Sequence, residues 1–183
     1  MSSDTIAVGV FSIVGSLLGV AIGLFGERWL RSRGPLYCTP CNWSGLQANA
    51  DDGRGSWTGT PLESAADATS AEYTVDLDLF NGKDITAGLW DLRVVLECNG
   101  GELISEPQDR ATATEVARQM NYDNIGFINI PPHQGIRVQL RGSFQQKGEV
   151  TPTSWCRVRV EADRLVRGPL ELRTYKKTIA ERS

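Results

Sequence analysis

The most conspicuous feature of the chain is one long apolar run. Residues 5–25, TIAVGVFSIVGSLLGVAIGLF, hold no charge and no proline over 21 positions. At 1.5 Å rise per residue, a helix of that length spans about 30 Å, the hydrocarbon thickness of a bilayer. The run predicts a transmembrane helix. With its juxtamembrane extension it occupies residues 1–34 and stops at the breaker pair Gly34-Pro35. The preceding Met1-Ser2-Ser3-Asp4 is acidic, and bulky Arg28, Trp29 and Leu30 follow the run. That is not the layout of a cleaved secretory leader.

Past Leu36 the periodicity changes from continuous to alternating. Tyr73, Val75, Leu77 and Leu79 alternate with Thr74, Asp76, Asp78 and Phe80. Leu92, Val94, Leu96 and Cys98 do the same, as do Ile136, Val138 and Leu140, and Cys156, Val158 and Val160. A period of two marks strands with one buried and one wet face. Shorter candidates are residues 36–39, 102–105, 125–130 and 170–175. Turn chemistry separates them, at Asn81-Gly82-Lys83-Asp84, Asn99-Gly100-Gly101, Pro131-Pro132 and Lys147-Gly148. Cys98-Asn99-Gly100-Gly101 reads as a tight hairpin.

Seven to nine short strands so spaced predict a mainly β fold, an antiparallel immunoglobulin-like β-sandwich over residues 35–175 behind the N-terminal transmembrane helix. Residues 47–72, rich in Ala, Asp, Ser, Thr and Gly, are expected as a mobile loop, and residues 176–183 as a C-terminal tail. Thr112 followed by Glu115 has capping-box spacing, so residues 112–120 are expected as a short helix.

An N-terminal helix, a strand ending in Phe80-Asn81, the segment Ala87-Gly88-Leu89-Trp90-Asp91-Leu92-Arg93-Val94-Val95, then Ile128-Asn129-Ile130-Pro131-Pro132 before a strand closing on Leu140-Arg141-Gly142 follow in that order. This arrangement resembles uncharacterised bacterial single-pass membrane proteins with a small immunoglobulin-like β-sandwich. The resemblance covers residues 73–144 and implies no activity.

Charge sets the expected orientation. No Lys or Arg precedes the apolar run, whereas Arg28, Arg31 and Arg33 follow it, with Trp29 as an interfacial anchor. The positive-inside rule then places the N-terminus outside and the C-terminal domain in the cytoplasm of a single-pass cell-membrane protein. Gly15, Gly19 and Gly23 recur every fourth residue, so they share one helix face where a second helix can approach closely. A homo-oligomer packed through that stripe is expected. The formal net charge of -3 argues against a nucleic-acid partner.

Candidate chemistry is sparse. One histidine, His133, lies in a loop with no nominated nucleophile beside it. Cys38-Thr39-Pro40-Cys41 has the CxxC spacing of a redox pair or half a zinc site. The only further thiols, Cys98 and Cys156, fall in the inward register of their strands, so all four are read first as structural cysteines. Arg93, Arg137, Arg141, Arg157 and Arg159 occupy polar positions. They are expected to pair across strands with residues such as Asp76, Asp78 and Glu97, or to meet anionic lipid.

The expectation is therefore a non-enzymatic, membrane-anchored interaction domain without a cofactor, whose partners are the lipid bilayer, further copies of itself and an unidentified protein. The rival readings are a redox or zinc module built on Cys38 and Cys41, and a membrane-active oligomer regulated by the β domain.

Overall fold

A computed structural model describes residues 19–20, 22–24, 26–27, 34–51, 57–65, 67–116, 119–167 and 171–182. The described residues of the N-terminal segment, Gly19, Val20, Ile22, Gly23, Leu24, Gly26 and Glu27, are all helical. Among the described residues no helix is long and apolar enough to cross a membrane. Most of the expected span, with Gly15, Arg28, Trp29, Arg31 and Arg33, lies outside them.

Among the described residues eleven strands follow: β1 (Leu36–Asp51), β2 (Trp57–Pro61), β3 (Ser70–Asn81), β4 (Ala87–Cys98), β5 (Gly101–Ser105), β6 (Gln108–Val116), β7 (Gln119–Asn124), β8 (Ile128–Ile130), β9 (Gly135–Gln145), β10 (Trp155–Arg167) and β11 (Glu171–Glu181). They form two antiparallel sheets. The first runs β2-β1-β3-β9-β6-β7 and the second β11-β10-β4-β5, with β8 lying beside the start of β4. The alternating segments seen in the sequence supply the centre. Val75, Leu77, Val94, Leu96, Leu140, Phe144 and Val158 are buried between the sheets. Burying such a side chain contributes about 1.5–3 kcal/mol, which makes these central strands the stable part of the fold.

Several expectations need correction. Residues 47–72 are not one loop. The end of β1 pairs with β2, from Gln47↔Pro61 to Asp51↔Trp57, and Leu62 and Ala71 are buried in the core. The polar composition hid a short ribbon built of Trp57, Thr58 and Thr60, residues that favour strands. Residues 112–120 are not a helix but parts of β6 and β7. The Thr112 hydroxyl, expected to cap a helix, donates to the Asp109 carbonyl at 2.8 Å and accepts from the Asp123 amide at 2.9 Å across the ribbon. The expected tail also belongs largely to the sheet, since β11 pairs with β10 up to Arg157↔Glu181.

The chain joins the sandwich through a tight contact. Gly34 has φ +137°, in the region that glycine adopts without cost, and a Cβ there would lie 2.7 Å from the Gly82 carbonyl carbon. The Gly82 amide donates to the Pro35 carbonyl at 2.9 Å. The start of β1 is thus held against the turn that follows β3.

Candidate functional site

A groove of about 500 Å³ opens between the two sheets, lined among others by Glu72, Ile104, Glu106, Asn124, Arg141 and Ser143. It exists because β6 pairs with β9 at only two positions, Gln108↔Arg141 and Asp109↔Leu140. Gly142 and the residues after it keep β3 on one edge, while β5 of the other sheet approaches from the side.

The floor of the groove is a close approach. The Tyr73 hydroxyl donates to Ser105 Oγ at 3.1 Å, and both residues are buried. A Cβ at position 142 would sit 2.5 Å from the Tyr73 hydroxyl and 2.7 Å from Ser105 Oγ. Glycine is what lets the bond form there, so Gly142 ties the two sheets together. Arg141, the next residue along β9, projects from the other face of the strand, and its guanidinium lies 4.1 Å from the centre of the Tyr122 ring and 4.0 Å from a Glu72 carboxylate oxygen. A groove whose charged lining is Glu72, Glu106 and Arg141 suits a polar segment better than an apolar one. Arg141 was legible as a polar-register arginine. Tyr122 and Ser105 were not, and the one available signal was a glycine at the next inward position after Leu140, where the expected strand closes.

The CxxC segment does not form a pair. Cys38 faces the core, whereas Cys41 is exposed where the register with β3 shifts between Pro40 and Asn42. Burial pushes the Cys38 thiol up to about 11. Hydrogen bonding with Asp78 raises Cys41 above the ordinary thiol range, and its Sγ donates to the Thr39 carbonyl at 3.4 Å. A reactive redox cysteine needs the opposite shift. Cys98 is buried as expected, but Cys156 is exposed. A register shift between Trp155 and Arg157 explains the difference: Trp155 takes the inward place, and Cys156 donates to the Glu97 carbonyl at 3.3 Å. Among the described residues no three metal-ligating side chains converge.

His133 stands in an exposed turn at φ +54°, with Nε2 2.6 Å from an Asp84 carboxylate oxygen. The arginines pair across strands. Arg137 forks onto Asp78 at 2.7 and 2.9 Å and holds that carboxyl down at about 2. Arg93 lies 3.5 Å from Asp91 and 3.6 Å from Asp163. Arg157 reaches Glu181 at 2.7 Å and Glu97 at 3.4 Å. Arg159, mostly buried, joins Glu97, Glu102 at 2.9 Å and Glu161 at 2.7 Å. Asp76, buried in the face of β3, is met instead by Arg110 at 2.7 Å.

Two packed antiparallel sheets joined at their inner faces define an immunoglobulin-like β-sandwich. The chain belongs to the YopI Ig-like domain family, whose model matches residues 44–164. Among solved structures it is similar to an uncharacterized β-sandwich protein from Clostridium difficile 630, at 16% identity over 79% of this chain and 86% of that one, with a TM-score of 0.32. It is also similar to a protein from Archaeoglobus fulgidus, at 12% identity over 80% of this chain and 97% of that one, with a TM-score of 0.30. No curated protein matches the chain.

Proposed function

We propose that this protein is a membrane-anchored interaction domain that works by binding and assembly rather than by catalysis. The helix at residues 5–25 spans a cell membrane with its N-terminus outside. The sandwich stands on the cytoplasmic side and takes a protein segment in the groove between β5 and β9. The observation that carries the reading is the state of the helix surface. Val20, Ile22 and Leu24 are 60%, 69% and 65% exposed, and nothing lies within 4 Å of a Cβ placed on Gly19 or Gly23. Apolar helical residues that the sandwich leaves uncovered call for lipid and for a second helix. The thiol environments at Cys38 and Cys41 support this reading over the redox one.

The test is self-association of the full chain in bilayers, read by single-molecule photobleaching. Gly19→Ile puts a β-branched side chain at the centre of the stripe and should reduce assembly markedly, whereas Ile13→Leu should not. Equal assembly of Gly19→Ile and wild type would refute packing through the glycine stripe. A reporter fused after Ser183 should be active in the cytoplasm, and activity on the other side would reverse the orientation.

A further inference from the structure

Apart from Ile104 on β5, the exposed large apolar side chains described on the sandwich gather towards one end. Tyr37, Phe80, Ile85 and Phe127 are 56%, 41%, 37% and 59% exposed. All lie at or near the end where Gly34 and Pro35 join the domain. Tyr37 pairs with Phe80 one position from the start of β1, and their rings are 6.2 Å apart. Ile85 is in the turn after β3. Phe127 precedes β8, which pairs with the first residues of β4, and its ring stacks on Trp90 at 6.1 Å.

One buried side chain holds this end rigid. Asn81 Nδ2 donates to the carbonyls of Ile85 at 2.8 Å, Ile130 at 2.9 Å and Pro131 at 3.2 Å. The β6–β7 ribbon leaves the sheet in the same direction, because β6 is antiparallel to β9, and it carries Val116 and Met120, 54% and 51% exposed.

The chain that joins this end follows the apolar helix closely. Glu27 and Gly34 are seven residues apart, so at most about 25 Å of chain separates them. We propose that this end of the sandwich lies on the bilayer surface, with Tyr37, Phe80, Ile85 and Phe127 in the headgroup–acyl boundary, so that the domain is docked on the membrane and not merely tethered to it. The inference rests on the anchoring reading above. The contact is apolar rather than electrostatic. At this end Arg137 is engaged by Asp78, the His133 ring by Asp84, and Lys83 is buried, while aromatic side chains suit the headgroup–acyl boundary, into which interfacial elements reach about 5–10 Å.

The test uses the full chain reconstituted in phosphatidylcholine vesicles, with the photoreactive analogue p-benzoylphenylalanine in place of Phe80 or Phe127. Controls carry it at Asn99 or Lys147, exposed positions at the opposite end. Flotation with the vesicles is read on the same samples, and adducts are identified by mass. The expected result is flotation of all four variants, with several-fold more lipid adduct from positions 80 and 127 than from 99 and 147, unchanged by high salt. Flotation with equal adduct at all positions would overturn docking while leaving the anchor standing. Adducts at 80 and 127 to a second copy of the chain in place of lipid would overturn it in favour of a protein contact. Failure to float would overturn the anchor and the docking together.

Discussion

Gly142→Ala is the sharpest probe of how the two sheets are held together. The added methyl would sit 2.5 Å from the Tyr73 hydroxyl, 2.7 Å from Ser105 Oγ and 2.8 Å from Tyr73 Cζ. All three are well inside contact distance, and all belong to buried residues. The hydroxyls must part, and the buried Tyr73 hydroxyl then lacks its partner. An orphaned buried polar group costs about 1–3 kcal/mol. Forcing an extra carbon into this close contact costs about 1–3 kcal/mol more. Part of each is relieved by local shifts, so a loss of about 3 kcal/mol is expected. For a chain of this size that lowers Tm by roughly 6–12 °C.

Thermal unfolding of the full chain in mild detergent, followed by near-UV circular dichroism, reads the loss. The Tyr73→Phe/Ser105→Ala background separates this cause from a general intolerance of side chains. With both hydroxyls gone, Gly142→Ala should recover about 1–2 kcal/mol, a coupling typical of residues in contact. Some cost remains because Cζ of the ring stays close. A neutral Gly142→Ala, or the same loss in both backgrounds, would refute the close approach at the groove floor.

Other consequences can be checked alongside. Arg159→Ala leaves Glu97, Glu102 and Glu161 short of a shared cation and should cost about 2–3 kcal/mol in chemical denaturation; Arg159→Lys should restore little, because a point charge cannot fork to three carboxylates. Cys38→Ser buries a hydroxyl and should cost about 1–2 kcal/mol, whereas exposed Cys41→Ser should fall within about 0.5 kcal/mol of wild type. Burial alone would raise the Glu161 carboxyl, but Lys176 and Arg159 outweigh it and hold it below the ordinary range. A depressed folded value means that this stabilisation is complete above the unfolded pKa and is lost as pH falls through the folded one, so Lys176→Met should flatten the acid limb of the stability profile. Asp78 should titrate at about 2 by NMR and move upward in Arg137→Ala.

What the residues reveal depends on how local each cause is. β3, β4, β9 and β10 are visible because Val75, Leu77, Val94, Leu96, Leu140 and Val158 must reach one core from alternating positions. The ribbon β6–β7 is mostly exposed on both faces. It therefore carries no alternation, and its Thr112…Glu115 spacing imitates a helix cap. Cys156 misleads for a different reason: a single register shift beside it reverses which side chains face inward, and nothing in the residues themselves marks the shift. At the groove, Gly142 is a legible oddity in a strand, but its partners Tyr73 and Ser105 come from another strand and another sheet. Only the assembled sandwich brings them together. The arginine pairings follow from the polar register, while the choice of Arg110 for Asp76 depends on where β6 leaves the sheet.

The central claim, a sandwich anchored by its N-terminal helix, is tested most directly by alkaline carbonate extraction of membranes from cells expressing the full chain. Wild type should stay with the membrane pellet. Leu18→Asp with Ile22→Asp places two charges in the span, each costing about 2.5–3.5 kcal/mol near the bilayer centre, and should move the protein to the supernatant while the near-UV signal of the sandwich is unchanged. Wild-type protein released by carbonate as readily as the double variant would contradict the account.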